Sequence, residues 1–115
     1  HGLGHLIGLQ THDVGGQQLD LQGTQAPPPE QYPALRMTRE LSQSMVLTIE
    51  PGIYFIPMLL DQLRESPSAD AVNWTAVESL ISCGGIRIED NIVITDQAPE
   101  NMTRDAFDAL SSASA

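Results

Sequence analysis

The sequence has 115 residues, the length of one domain, and its 15 acidic residues outnumber its 5 Lys and Arg residues, which gives a net charge of -10 at pH 7 with histidine neutral. Nucleic acids and anionic membrane surfaces are bound through clusters of Lys and Arg, so neither is an expected partner. Hydrophobic residues make up 41% of the chain and aromatic residues only 4%, so a core can form and must be filled mainly by aliphatic side chains.

The cysteine content and the apolar runs indicate where the protein resides. Cys83 is the single cysteine, which excludes an internal disulfide and a thiolate-rich zinc site and favours a reducing, cytoplasmic setting. The longest apolar run, residues 53–60, is far shorter than the roughly 20 residues that a membrane helix requires. Because the chain begins at His1 with neither Met nor a signal pattern, we expect it to be truncated at the amino terminus.

The first half of the chain is predicted to consist of strands and loops. Residues 1–16 hold five of the nine glycines, and because an interior Gly costs a helix about 1 kcal/mol relative to Ala, a strand or ordered loop is expected there. Residues 17–33 are polar and contain three consecutive prolines, which predict a surface loop around the site. Residues 45–56 alternate in hydrophobicity and predict a strand with a break at Pro51-Gly52.

Two helices are predicted in the middle of the chain. Pro57 suits the first turn of a short helix over residues 57–65. Asn73 can cap a second helix, which would run from Trp74 to a stop at Cys83-Gly84-Gly85.

The last third is predicted to hold one strand and one helix. Residues 86–95 return to the two-residue period of a strand, with an irregularity at Asp90-Asn91. Thr103 is the expected cap of a final helix over residues 104–110, and residues 111–115 are expected to fray.

A few residues in these segments could carry chemistry, and each has an ordinary explanation as well. His5 could simply donate to a backbone carbonyl, Glu50 could lie on the solvent face of its strand, and Glu89 could form a surface ion pair with Arg87. If the carboxylates are buried, each needs a cation or a proton. One imidazole with several carboxylates suits Mn²⁺, Co²⁺ or Zn²⁺, so the set predicts a metallohydrolase.

Three separated blocks of the sequence match one family. HGLGHLIGLQTHDVG, MVLTIEPGIYF and GGIRIEDNIVIT resemble, in that order, the carboxyl-terminal half of the pita-bread metallopeptidases, and they are most similar to the family's bacterial Xaa-Pro dipeptidase (prolidase) branch. The resemblance covers nearly the whole chain. It implies an α+β fold in which residues 1–115 form the carboxyl-terminal part of the catalytic domain, with a curved antiparallel sheet and flanking helices.

The resemblance also implies a metal site. It assigns His5 and Glu50 as ligands of one metal and Glu89 as the carboxylate that bridges two, with Mn²⁺ the expected ion and Co²⁺ or Zn²⁺ as alternatives. The full-length enzyme would hydrolyse Xaa-Pro dipeptides with a hydroxide held by the two metals. Glu50 would be catalytic as well, taking a proton from the water and passing it to the leaving amine.

Further residues are assigned to the substrate and to the surroundings of the metals. By the family pattern, His12 contacts the scissile carbonyl and stabilises its oxyanion, and His1 lines the substrate pocket. Arg36 matches the arginine that binds the free carboxylate of the dipeptide's proline. Arg87 matches an arginine that orients the bridging carboxylate.

The resemblance leaves open what the isolated chain can do. The family draws two further ligands from aspartates that precede the HGLGH block, and this chain starts at that block, so the fragment alone is expected to be inactive and to fold only partly. Relatives form homodimers. The alternatives are an aminopeptidase P, which cuts longer peptides, and a pita-bread binding module without catalysis. A side activity on organophosphates is also chemically accessible to such a site.

Overall fold

The computed structural model describes residues 2–113, and its central strand is β1, Val46–Ile49. On one side β1 pairs antiparallel with β4, Asp90–Val93, in a register that sets Val46 opposite Val93. β4 in turn pairs with β5, Glu100–Asn101, so the order of this sheet is β1-β4-β5.

The glycine-rich segment at the start of the chain runs along the other side of β1. Leu6 forms an antiparallel bridge with Leu47. The Ile7 N–H donates to the Val46 carbonyl at 3.0 Å, and the Thr48 N–H donates to the His5 carbonyl at 2.9 Å. Within residues 2–16 the structure has no helix, which confirms the prediction of a strand or ordered loop.

Because β1 has neighbours on both edges, its side chains are more enclosed than simple alternation predicts. Leu47 is buried, Thr48 has no exposed surface, and Glu50, directly after the strand, is 6% exposed. The alternative in which Glu50 lies on a wet face is therefore wrong. The buried residues here include polar side chains, which need partners within the fold.

A second unit comprises residues 52–88 and is described separately. Its two-stranded sheet pairs β2, Gly52–Tyr54, with β3, Gly85–Arg87, and sets Tyr54 opposite Gly85. The predicted strand over 45–56 and the predicted strand over 86–95 are thus each divided between two sheets. The breaks fall at Pro51 and around Glu89, where the partner strand changes.

The helices of this unit lie close to the predicted positions. Helix α1 is Pro57–Arg64, with Pro57 in its first turn. Helix α2 is Trp74–Leu80, and the Asn73 side chain accepts a hydrogen bond from the Ala76 N–H at 3.1 Å. Single 3-10 turns, Ala69–Ala71 and Ile81–Cys83, follow the two helices, and Gly84 ends the second with φ = 72°.

The final helix, α3, spans Met102–Ala113 and packs against β4. The Asn101 side chain accepts from the Arg104 N–H at 3.0 Å and caps the helix, whereas the Thr103 hydroxyl accepts from the Asn91 N–H at 2.9 Å. The prediction of Thr103 as the cap is therefore wrong by two residues. Of residues 111–115, which were expected to fray, residues 111–113 form the last turn of α3 and residues 114–115 lie outside the described residues.

Residues 17–33 have one isolated antiparallel bridge, between Gln18 and Gln25. The Ala26 N–H donates to the Gln17 carbonyl at 2.7 Å. Thr24 donates from its backbone and its hydroxyl to the Asp20 carboxylate, which lowers the pKa of Asp20. Among residues 2–113 no helix combines the length and apolar character needed to cross a lipid bilayer.

Candidate metal centre

The centre of the site is a buried contact between an imidazole and a carboxylate. His5 is 4% exposed and Glu50 is 6% exposed, and His5 Nε2 lies 3.1 Å from Glu50 Oε1. The backbone pairing beside β1 brings them together, since the Glu50 N–H donates to the Leu3 carbonyl at 2.7 Å. Gly4 permits this pairing, because a Cβ there would overlap the carbonyl oxygen of Thr48.

The other ring nitrogen of His5 defines its tautomer. His5 Nδ1 lies 2.9 Å from the carbonyl oxygen of Leu6, and since a carbonyl only accepts, Nδ1 carries the hydrogen. Nε2 of the neutral ring then presents a lone pair to a carboxylate oxygen of Glu50. Two acceptors this close require a cation or a proton between them.

The donor chemistry of this pair fits a divalent metal ion. Ligand atoms about 2.1 Å from one ion are roughly 3 Å apart at adjacent positions, which agrees with the 3.1 Å between His5 Nε2 and Glu50 Oε1. The Nδ1–H bond to a backbone carbonyl is the contact that orients a metal-binding histidine. His5 and Glu50 are therefore suited to hold the same ion.

Thr48 joins the two residues and is the residue that sequence reasoning missed. Its hydroxyl accepts from the His5 N–H at 3.0 Å and donates to Glu50 Oε1 at 3.0 Å. The available signal was its position two residues before Glu50, which places both side chains on the same face of an extended strand.

His12 and Arg36 share a cavity with His5. The ring centroids of His5 and His12 are 4.3 Å apart with the planes tilted by 48°, and His12 and Arg36 are exposed. All three line a cavity of about 410 Å³. The structure thus brings together three of the residues that the sequence predicted for metal and substrate.

The segment that carries Arg36 is attached to the loop that follows the histidines. The Gly16 carbonyl accepts from the N–H groups of Thr38 and Arg39 at 2.9 and 3.1 Å. The Gln17 side chain donates to the Leu35 carbonyl at 3.0 Å, and the Thr38 hydroxyl donates to the Ala26 carbonyl. These bonds hold the backbone on both sides of Arg36.

Glu89 has a different environment. It is exposed and lies between β3 and β4. Within residues 2–113 no group of three or more His, Cys, Asp or Glu side chains is arranged to hold a metal ion. The structure therefore brings His5 and Glu50 together without adding Glu89 to them.

Arg87 lies in the second unit and contacts Tyr54. Its Nε donates to the Tyr54 hydroxyl at 2.7 Å, and its Cζ is 5.8 Å from the centre of the Tyr54 ring. The ring covers Gly52 and Gly85, where a Cβ would stand 2.6 and 2.8 Å from Tyr54 atoms. Tyr54 was not singled out from the sequence. His1 lies outside the described residues.

A second polar cluster ties α3 to β4. Arg104 binds both carboxylate oxygens of Asp90, with Nη2 2.7 Å from Oδ1 and Nε donating to Oδ2 at 3.0 Å, and Asn101 also donates to Oδ2. The bond from Arg104, followed by the bond from Asn101, lowers the pKa of Asp90, and the carboxylate raises the pKa of Arg104.

Comparison with known proteins assigns the chain to a family. The sequence pattern of metallopeptidase family M24 matches residues 1–96. The chain is 56% identical over 106 residues to a Xaa-Pro dipeptidase of Actinobacillus pleuropneumoniae serotype 5b. The aligned region is 92% of this chain and 24% of that relative.

Other relatives agree. The chain is 54% identical over 109 residues to a Xaa-Pro dipeptidase of Xanthomonas campestris pv. campestris, covering 95% of this chain and 25% of the relative. It is 52% identical over 105 residues to a Xaa-Pro dipeptidase of Shewanella loihica, covering 91% of this chain and 24% of the relative. The chain thus spans about a quarter of the length of the curated relatives it matches.

Proposed function

This chain belongs to metallopeptidase family M24, and we propose that the protein containing it hydrolyses Xaa-Pro dipeptides with the help of divalent metal ions. The substrate class comes from the relatives, which are Xaa-Pro dipeptidases 52% to 56% identical to this chain. The proposal includes the carboxyl-terminal half of a pita-bread fold, with which the antiparallel sheets and flanking helices agree.

The observation that carries the proposal is the buried pair His5 and Glu50. Nε2 and Oε1 lie 3.1 Å apart, and the Nδ1 contact with the Leu6 carbonyl leaves Nε2 as the nitrogen that faces the carboxylate. The ordinary alternative, a histidine that donates to a backbone carbonyl, accounts for the contact of Nδ1 with Leu6 but not for the buried carboxylate beside Nε2. His5 and Glu50 would hold the first ion, and Glu89 would bridge to a second.

The metal would be Mn²⁺, with Co²⁺ or Zn²⁺ as substitutes. When bound, such ions lower the pKa of a water and polarise the scissile carbonyl. The donor atoms of His5, Glu50 and Glu89 are too few for two cations that prefer about six positions each. Since the chain also spans only a quarter of its relatives, we expect the isolated 115 residues to be inactive.

The roles of the other residues follow from the chemistry of each side chain. A carboxylate oxygen of Glu50 would accept the proton of the attacking water and deliver it to the leaving nitrogen of proline. His12, 4.3 Å from the His5 ring, would donate to the carbonyl oxygen as negative charge develops on it. His1 would line the same pocket.

Arg36 would select dipeptides. Arg36 lines the cavity with His5 and His12, and an arginine side chain offers the paired donors that a carboxylate accepts. The free carboxylate of a dipeptide lies one residue beyond the scissile bond. A cation held one residue beyond that bond would therefore favour dipeptides over longer peptides. Arg87, held by Tyr54, would orient the bridging carboxylate of Glu89.

We extend the proposal to the setting of the protein. A single cysteine, Cys83, which is exposed, suits a reducing compartment such as the cytoplasm. Homodimer formation follows the family resemblance and would be measured by analytical ultracentrifugation of the complete protein.

The complete open reading frame that encodes this sequence provides the test. The purified product should hydrolyse Gly-Pro with added Mn²⁺, lose activity with EDTA and leave Ala-Ala intact. Glu50→Gln should lower kcat by at least about 100-fold, as expected for loss of a general base and ligand, whereas the exposed Glu65→Gln should not. Absence of Gly-Pro hydrolysis with any of Mn²⁺, Co²⁺ or Zn²⁺ would overturn the proposal.

A further inference from the structure

The hydroxyl of Thr48 connects the two residues proposed to share a metal ion. Thr48 has no exposed surface. Its oxygen accepts a hydrogen bond from the backbone of His5 and donates one to the side chain of Glu50, both at 3.0 Å. One buried hydroxyl thus contacts both His5 and Glu50, which are 45 positions apart in the sequence.

The direction of the hydroxyl hydrogen follows from the distances. Thr48 Oγ1 lies 3.0 Å from Glu50 Oε1 and 3.5 Å from the carbonyl oxygen of His5, and both of these atoms are acceptors. A hydroxyl has one hydrogen, and hydrogen bonds between oxygens are normally about 2.7–2.8 Å long and weaken with distance. The hydrogen therefore lies toward Glu50.

We propose that Thr48 is a positioning residue that holds the Glu50 carboxylate in the orientation in which it shares a cation with His5. The inference rests on the proposed function. Glu50 has three side-chain torsions, and the bond from Thr48 restricts where Oε1 can lie. Because Thr48 and Glu50 are both buried, bulk water does not compete for this bond.

The His5 side of the contact makes Thr48 more than a local support. The same oxygen receives the His5 N–H, so it adds a side-chain contact to the backbone hydrogen bonds that align the segment bearing His5 with the strand bearing Glu50. The hydroxyl thus contacts both residues of the pair whose Nε2 and Oε1 atoms lie 3.1 Å apart. Partners of metal ligands typically contribute roughly 10- to 100-fold to metal affinity.

Four variants of the complete protein separate this role from simple packing. Thr48→Val keeps the shape and removes the hydroxyl, while Thr48→Ser keeps the hydroxyl and removes the methyl. Thr48→Ala lacks both groups. Because Thr48→Ser and Thr48→Ala differ only in the hydroxyl, their comparison tests the role of the hydroxyl even if Thr48→Val disturbs folding. Thr103→Val removes a hydroxyl that accepts from the Asn91 N–H and serves as the matched control.

The measurement is the affinity of each metal-free protein for Mn²⁺, read from the EPR signal of the free ion, with Tm recorded in parallel. We expect Thr48→Val and Thr48→Ala to bind about 10- to 100-fold more weakly than the parent, with Thr48→Ser and Thr103→Val within about threefold of it. Equal affinity in Thr48→Ser and Thr48→Ala would overturn the inference. A parent protein that binds no Mn²⁺ and cleaves no Gly-Pro would instead refute the proposed function.

Discussion

The contact between His5 and Glu50 limits what this site can bind. A carboxylate that is 6% exposed is costly to bury unless a positive charge or hydrogen bonds compensate for the lost water. Thr48 supplies one hydrogen bond, and His5 Nε2 lies 3.1 Å from Glu50 Oε1, so a cation or a proton is needed between these two atoms. The pair is therefore suited to a cation.

Arg36 should determine substrate length. Replacing Arg36 by Ala should raise KM for Gly-Pro by about 10- to 100-fold, because a hydrogen bond to a charged group contributes roughly 1.5–3 kcal/mol. KM for a tripeptide such as Gly-Pro-Ala should change little. Arg39→Ala, three residues along the same segment, is the control, and steady-state kinetics measure both. Equal losses on the two substrates would contradict the role.

Glu89 should determine how many metal ions bind. Glu89→Gln should reduce the Mn²⁺ content of the complete protein from two ions per chain to about one, because an amide is a poor bridge between cations. Isothermal titration calorimetry and metal analysis give the number of ions bound per chain. Glu100→Gln, at an exposed residue of β5, is the control. Two ions retained per chain in Glu89→Gln would show that this residue does not bridge.

At the residue scale the sequence pointed to His5 and Glu50 but not to Thr48, whose hydroxyl contacts both. The block HGLGH and the strand before Pro51 pointed to His5 and Glu50, because these blocks resemble those in which the pita-bread metallopeptidases carry metal ligands. Thr48 escaped notice because threonine is common in strands, and its hydroxyl acquires meaning only when the His5 segment lies alongside.

At the scale of elements, β1 has its particular environment because it is flanked on both edges. β4 occupies one side, and the segment around Leu6 occupies the other. A strand in this position has no exposed edge, so polar residues on it become enclosed. Local alternation in the sequence could not reveal this, since it records the two faces of a strand and not what covers them.

Gly4 should be essential to that arrangement. A Cβ at Gly4 would overlap the Thr48 carbonyl, so Gly4→Ala should separate the first segment from β1. We expect a loss of about 1–3 kcal/mol in stability and weaker Mn²⁺ binding.

Gly23→Ala provides the comparison for Gly4→Ala. Gly23 has φ = 85° and open space around it, so Ala there is strained but lies away from His5. Thermal melts and Mn²⁺ titrations compare the two variants. Unchanged metal affinity in a folded Gly4→Ala protein would contradict the account.

The division of two predicted strands has a related cause. Residues 45–56 and residues 86–95 each satisfy the strand period, yet each supplies one strand to a three-stranded sheet and one to a two-stranded sheet. Pro51 marks the first break because proline lacks a donor for the ladder. The change of partner around Glu89 has no equally strong local signal, and the irregularity predicted at Asp90-Asn91 falls within β4 instead.

At the scale of the whole molecule, the chain consists of two units, and the candidate metal centre lies within the unit formed by residues 2–51 and 89–113. In that unit α3 is attached to β4 through Asp90, Arg104 and Asn101. β4 is the neighbour of β1, so the cluster stabilises the sheet that carries Glu50. The sequence did not indicate this cluster, because its three residues belong to different elements.

The Asp90 cluster should make stability depend on pH in the acid range. The pKa of Asp90 is lowered from 3.8 in the folded state, so its contribution is complete above that value and is lost as pH falls through the lowered pKa. Asp90→Asn should therefore lower Tm at pH 7, and the difference from the parent should shrink below about pH 4.

Melting curves between pH 7 and pH 2.5 test this behaviour, and Arg104→Gln should reproduce it, since Arg104 is the main cause of the shift. Asp96→Asn is the control, because its carboxylate lies outside the cluster. A Tm difference between Asp90→Asn and the parent that stays constant across this range would contradict the assignment.

The central claim is that His5 and Glu50 hold the same metal ion. The most direct measurement is anomalous diffraction at the manganese edge from crystals of the complete protein grown with Mn²⁺. The account predicts a peak about 2.1–2.2 Å from both His5 Nε2 and Glu50 Oε1. Bound manganese elsewhere, with no peak between these two atoms, would contradict it.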